Sequence, residues 1–340
     1  MLRHMHQRYR VPSIPPVLLL SRAEVESLID PDALREAVAA ALADLSAGRA
    51  SMPTRIAALV PEADALLAAM PAYLPSAGAL TTKLVSLFPR NTDRPTHQAV
   101  IVAFDPATGT PAALMDGEAI TAARTAAGSA LSTDLLARKD AATLAILGSG
   151  VQARAHLRAV PRVRSFTQIV VATRDTSKAQ ALAREQAGGI PVRAAASFEE
   201  AVRAADVVCA TTHSPEPVMR RAWLRPGTHV TSVGYNTAGR EVDADTVVDA
   251  LVVVESRAAV LAPPPGGAND LLWPIRDKRI GPEHIHAELG EIVSGTRPGR
   301  TDEQRITLYK SVGVAVEDAA AAALVLRAAR ERGVGREIEL

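Results

Sequence analysis

The stretch Leu144-Ala-Ile-Leu-Gly148-Ser-Gly150-Val-Gln-Ala153 decides the fold. Its apolar start reads as a buried strand, Gly-x-Gly-x-x-Ala as a tight turn, and the chain from Val151 as a helix. Gly148 permits the turn, and Gly150 lets backbone N–H groups approach a pyrophosphate. Ala153 lets the helix pack close to the strand, with its N-terminus facing the phosphates. A glycine-rich turn alone is common, but here its setting is specific. Strands expected at Thr143 to Leu147, Ile169 to Ala172, Val207 to Ala210 and His229 to Val233 alternate with helices from Val151, from Ser177 and from Ser197 to Ala205. That alternation implies an α/β fold with a Rossmann-type, doubly wound parallel sheet that binds a dinucleotide.

At the end of the next strand, where an acid would accept bonds from a ribose 2′-hydroxyl, the chain reads Ala172-Thr-Arg174-Asp175. A guanidinium matches a 2′-phosphate, so Arg174 favours NADPH over NADH. A shift of one residue would put Asp175 there and reverse the preference, leaving NADH as the alternative.

Towards the N-terminus the pattern changes. Asp30 and Pro31 open a helix carrying Leu34, Val38, Leu42 and Leu45 on one stripe, which Gly48 ends. Short β-like runs follow at Ile56 to Val60, Leu80 to Leu87 and Ala99 to Phe104, with a turn at Asp105-Pro-Ala-Thr-Gly109. These imply a second, α+β domain. An Ala-rich helix from about Glu118 to Arg138 leads out of it, a loop is expected at 261–269, and another Ala-rich helix runs from Ser311 to Arg332. The basic, proline-interrupted residues 1–17 read as a disordered tail.

The 340 residues suffice for two cores, and a net charge of +1 with scattered Lys and Arg makes nucleic acid an unexpected partner. No run is apolar for long enough to span a membrane. The one cysteine, Cys209, reads as a core residue in an apolar strand, which fits a reducing cytoplasm. His284 and His286 are two apart and His97, His156 and His213 are isolated, so solvated or structural roles are expected and no metal. Trp223 and Trp273 read as packing residues, with Trp273 a further candidate for lining a pocket.

Three cations stand in polar-poor surroundings: Arg55 in Met52-Pro-Thr-Arg, Lys83 in Leu80-Thr-Thr-Lys-Leu-Val, and Arg124 in Thr121-Ala-Ala-Arg-Thr-Ala-Ala. A buried cation needs an anionic partner or water. A substrate carboxylate and a structural ion pair both meet that need, and spacing does not choose between them.

Further segments accompany these: Phe88-Pro-Arg-Asn91, Phe104-Asp-Pro-Ala-Thr-Gly109, Met115-Asp-Gly-Glu-Ala-Ile and Ser311-Val-Gly-Val-Ala-Val-Glu-Asp318. Taken together, from about Leu18 to Gly335, the chain resembles the ornithine cyclodeaminase/μ-crystallin family. The resemblance implies a homodimer. Residues 18–130 plus 308–340 would form the substrate-binding and dimerisation domain, residues 131–307 the NAD(P)-binding domain, and the active site would lie between them. It implies that Arg55, Lys83 and Arg124 surround an α-imino or α-amino carboxylate. It also implies cofactor contacts at Thr125, Gly148, Gly150, Val151, Gln152, Arg174, Thr211, Val233 and Ser311.

One position departs from the family's cyclodeaminases, which carry Gly-x-Asp after the fifth Rossmann strand. This chain reads Gly234-Tyr-Asn236, and an amide is neither anionic nor a proton acceptor near neutral pH. The departure favours plain reduction of a cyclic imino acid, Δ1-pyrroline-2-carboxylate or Δ1-piperideine-2-carboxylate, to L-proline or L-pipecolate. In that reading Lys83 relays a proton or supplies positive potential, and Asn236 hydrogen-bonds the substrate. An ornithine cyclodeaminase using Asp243 or Asp270 is one alternative, although both read as surface or capping acids. A non-catalytic protein binding NADPH and small acids is the other.

Overall fold

The computed structural model describes residues 15–185, 189–236, 238–263 and 266–339. Residues 1–14 of the expected tail, and positions 264 and 265 of the expected loop, lie outside them. In chain order the first part comprises β1 (Val17–Leu20), α1 (Arg22–Leu28), α2 (Pro31–Ser46), β2 (Ile56–Val60), β3 (Ala65–Leu74), β4 (Ala79–Leu87), β5 (His97–Phe104), β6 (Pro111–Asp116) and α3 (Gly117–Leu136). The second comprises β7 (Thr143–Leu147), α4 (Val151–Ala159), β8 (Gln168–Ala172), α5 (Thr176–Ala183), β9 (Val192–Ala194), α6 (Phe198–Ala204), β10 (Val207–Ala210), β11 (His229–Ser232), α7 (Ala244–Asp249), β12 (Leu251–Val254), α8 (Arg257–Val260), α9 (Asn269–Arg276), β13 (Ile285–Glu288), α10 (Leu289–Val293) and β14 (Thr307–Lys310). The chain closes with α11 (Ala315–Arg332) and β15 (Arg336–Ile338).

Among the described residues the strands form two sheets. One runs β15-β1-β6-β5-β4-β3-β2 and is antiparallel apart from the β1–β6 pair. The other runs β13-β12-β14-β11-β10-β7-β8-β9 with every neighbouring pair parallel. Strand order therefore reverses at β7, which lies between β8 and β10. Ligands of such sheets bind beyond the carboxyl ends of the strands at that reversal. β14 belongs to the parallel sheet, pairing with β11 and β12.

Helix α3 shows why its sequence is alanine-rich. Asp116 caps it, accepting from Ala119 N at 2.7 Å. Its Ala119, Ile120, Ala127 and Leu131 pack in the core beneath the first sheet, while Ala126 and Ala130 pack in the core of the second. Only small side chains allow one helix to be sandwiched this way. Gly117 sits so close to β5 that a Cβ there would come within 2.8 Å of the Ala99 carbonyl carbon.

Several elements differ from their sequence expectation. Strands β3 and β6 carry no clean alternation and were not anticipated. Helix α11 starts at Ala315, four residues after Ser311, because Gly313 is left-handed (φ 78°) and the Val312 N–H is taken by Glu255 Oε1 at 2.7 Å. Val17 opens β1 and is buried, so it is no part of a tail. Among the described residues, no helix is long and apolar enough to cross a membrane.

Candidate active site

A cavity of about 530 Å³ lies between the two sheets, within the roughly 300–1,000 Å³ of small-molecule sites. Strand alternation supplies one wall: Lys83, Val85 and Leu87 of β4 share a face with Leu66, Ala68 and Met70 of β3, and Arg55 enters just before β2. Arg124 and Thr125 come from α3, and Ser311 to Ala315 from the connection into α11. Gln152 and Val233 come from the carboxyl side of the parallel sheet. The structure therefore brings Arg55, Lys83, Arg124, Thr125, Gln152, Val233 and Ser311 to one cavity.

The cations are paired by acids of the chain itself. Arg124 donates from Nε to Asp318 Oδ1 at 3.0 Å and from Nη1 to Glu317 Oε2 at 2.8 Å, while Lys83 Nζ lies 2.7 Å from Asp318 Oδ2. All four side chains are buried. Arg55 differs. Its guanidinium donates to the carbonyls of Gly313 (2.8 Å) and Val312 (3.3 Å), and no carboxylate is bonded to it among the described residues.

Burial shapes the proton affinities. It lowers Lys83 to about 8, against the attraction of Asp318 and with the repulsion of Arg124 adding to the effect. It pushes Glu317 up to about 8 despite Arg124, with Glu255 and Asp318 repelling the charged form. Burial also opposes the charged form of Asp318, but Arg124 and Lys83 outweigh it and hold that carboxyl below its ordinary value. Glu317 is thus the acid of the cluster whose proton is held most readily, and Arg124 is what favours its charged form.

The glycine turn fits a dinucleotide on different grounds. Gly148 has φ 122°, and a Cβ there would lie 2.7 Å from Thr211 Oγ1, so the turn itself demands glycine. Thr211 serves that turn, donating from Oγ1 to Leu147 O at 2.8 Å. Gly150 is the N-cap of α4, has φ −83°, and a Cβ there would meet nothing within 4 Å. The protein does not need that space, but a pyrophosphate does. Next to it Val151 is 64% exposed, and Gln152 Oε1 is buried without a hydrogen-bond partner among the described residues. Such an orphaned acceptor calls for a ligand donor. Asp175 caps α5, accepting from Ser177 N at 3.0 Å, whereas Arg174 is exposed and bonded to none of the described residues.

Three expectations need correction. Asn236 is not brought to the cavity. Its Nδ2 donates to His213 O (3.2 Å) and its Oδ1 accepts from Ala238 N (2.8 Å), so both ends of the amide shape the loop and Tyr235 lines the cavity instead. Asp270 is no surface acid: it is buried and paired with Lys310 Nζ at 3.0 Å, while Asp243 does cap α7. Trp273 lies against Arg240 and Arg276 and does not line the cavity.

Sequence reasoning also missed His97, which lines the cavity at the start of β5. Burial holds its imidazole below the usual value, with Lys83 and Arg124 adding to the shift. Its place two steps along the Lys83 face was legible only with the β4–β5 register, which pairs Leu87 with His97.

The family model for the ornithine cyclodeaminase/mu-crystallin family matches residues 17–333. The ketimine reductase mu-crystallin of Mus musculus is 39% identical over 292 residues, covering 84% of this chain and 88% of the relative. The structure of Thermococcus litoralis Δ1-pyrroline-2-carboxylate reductase in complex with NADH and L-proline is 40% identical. It superposes with a TM-score of 0.90 over 95% of this chain and 100% of that one. An archaeal alanine dehydrogenase dimer with bound NAD is 30% identical, with a TM-score of 0.87 over 95% of this chain and 99% of that one.

Proposed function

The chain belongs to the ornithine cyclodeaminase/mu-crystallin family, and from that premise we propose that it is an NAD(P)H-dependent reductase of cyclic imino acids. Its substrates in this reading are Δ1-pyrroline-2-carboxylate and Δ1-piperideine-2-carboxylate, and its products L-proline and L-pipecolate. The observation that carries the reading is one cavity bounded by a positively charged, water-poor cluster on one side and by Gln152 and Val233, beside the glycine turn, on the other.

When bound, the nicotinamide supplies a hydride to the C=N carbon, and the nitrogen must gain a proton for the bond to become CH–NH. Arg55 takes the substrate carboxylate, since among the described residues its guanidinium bonds backbone carbonyls and no carboxylate, and so orients the ring. Lys83, with a proton affinity near 8, gives its proton to the imine nitrogen and regains one from solvent. Arg124 holds Glu317 and Asp318 in place and keeps the potential positive. Val85, Leu87, Met70 and Leu66 exclude water around the ring carbons. In this proposal Gly148, Gly150 and Val151 hold the pyrophosphate, and Thr125, Gln152, Val233 and Ser311 the nicotinamide end. Arg174 takes a 2′-phosphate, which makes NADPH the preferred cofactor.

The homodimer belongs to the same proposal. β2 is an edge strand whose Ile56, 70% exposed, shares the face turned away from the cavity with exposed Leu67 of β3, while Leu59 lines the cavity. A second copy covering that apolar face would remove it from water. So does the division into substrate and cofactor parts, and so does a cytoplasmic setting for a chain whose one cysteine is buried.

The test is to follow NADPH absorbance while adding Δ1-pyrroline-2-carboxylate, and ammonia while adding L-ornithine with NAD⁺. Consumption of NADPH without ammonia release from ornithine is expected. Ammonia release at a comparable rate would replace the reading with cyclodeamination, and activity in neither assay would favour a binding protein.

A further inference from the structure

Away from the cations, a second buried charge cluster lies under the loop after β11. Lys310, the last residue of β14, is 1% exposed. Its Nζ donates to Gly234 O at 2.7 Å and to Ser232 Oγ at 3.0 Å, and pairs with Asp270 Oδ2 at 3.0 Å. Asp270 Oδ1 accepts from the N–H groups of Glu241 (2.9 Å) and Val242 (2.8 Å). Glu241 returns to the same loop: Oε2 accepts from Gly234 N and Ser232 Oγ, both at 2.8 Å, and Oε1 from Thr212 N at 2.5 Å.

The N–H and the carbonyl of Gly234 are thus both held by buried charged groups. A Cβ at that residue would lie 2.2 Å from Thr212 O, so the peptide fits in this one place. Val233 and Tyr235, on either side of it, both line the cavity, and Tyr235 shares that lining with Arg55. A buried ion pair adds little net stability compared with apolar packing, and its best use is to fix a geometry.

We infer that Lys310, with Glu241 and Asp270, is a positioning residue that clamps the Gly234 peptide and so holds Tyr235 as the cavity wall that discriminates the ring size of the imino acid. This rests on the reductase reading given above. Among the described residues Tyr235 is the sole aromatic ring on the parallel-sheet side of the cavity lining, so its placement sets how much room the substrate ring has.

The experiment compares the five- and six-membered cyclic imino acids, with NADPH, in wild type, Tyr235→Ala, Lys310→Met and the double variant. Tyr235→Ala should move the six-to-five ratio of kcat/KM at least fivefold towards the larger ring. Lys310→Met should move it in the same direction at least threefold, through KM rather than kcat, and should add nothing further in the Tyr235→Ala background. If Lys310→Met does not fold, Lys310→Met with Asp270→Asn removes the unpaired acid and answers the same question. Equal loss for both rings, or effects that multiply in the double variant, overturns the inference while leaving the reductase reading intact. A wild type that reduces neither ring overturns both.

Discussion

At one end of the cavity Arg124 and Lys83 meet Glu317 and Asp318 of the same chain. At the other, Gln152 Oε1 has no hydrogen-bond partner among the described residues, and just before it in the chain Val151 is exposed and a Cβ on Gly150 would meet none of the described residues within 4 Å. The first end is complete as folded protein, and the second is complete only with a ligand. A buried cation without a counter-charge is costly, so the chain supplies its own acids to Arg124 and Lys83. A phosphate cradle needs only backbone N–H groups and empty space, which cost little before the ligand arrives. Substitutions at the cation end should therefore disturb both folding and turnover, and those at the glycine end binding alone.

The largest effect is expected at Arg124. Replacing it with Met strands Glu317 and Asp318 in the interior, so urea unfolding should show a loss of about 3–5 kcal/mol together with loss of turnover. A variant as stable as wild type would mean that the acids can neutralise or reach water, and the contrast between the two ends would fail. Next comes Lys83→Met, for which kcat/KM should fall by about 10²–10⁴ because the proton donor is gone while Asp318 keeps Arg124. The wild-type rate should decline as pH rises through about 8, where Lys83 loses its proton, and any residual rate of the Met variant should lack that step. Stopped-flow profiles from pH 6 to 10 would show it.

At the glycine end, Gly150→Ala should weaken cofactor binding about tenfold or more by filling the phosphate space. It should change stability by no more than about 1 kcal/mol, the scale of a helix cap. Calorimetric titration and thermal unfolding of the same sample would separate the two. The smallest effect is expected for Arg174→Ala: NADPH should bind about tenfold more weakly with NADH unchanged, since one exposed charge-assisted contact is lost. Equal loss for both cofactors would assign Arg174 elsewhere.

The glycine end was the more legible from sequence because its grammar is local. Strand, turn and helix follow one another within ten residues, and β7 and α4 stand where that order puts them. The cation end was legible only as a question. Arg124 and Lys83 announced that they needed partners, but Asp318, 194 residues from Arg124, carries no local mark of being one. The cluster of Lys310, Glu241 and Asp270 was hidden likewise, because its members come from separate segments, and Asn236, read as a substrate contact from the place of the cyclodeaminase acid, bonds His213 O and Ala238 N instead.

By itself, the sequence determined the parallel α/β alternation, the dinucleotide turn and the identity of three cations, since periodicity and turn chemistry act between near neighbours. Tertiary structure alone decided which acids neutralise Arg124 and Lys83 and that Tyr235 and His97 face the cavity. It also decided that Asp270 is buried against Lys310. Ion pairing in a low-dielectric interior depends on where distant segments meet, and that is set by the packing of α3 and α11 between the sheets.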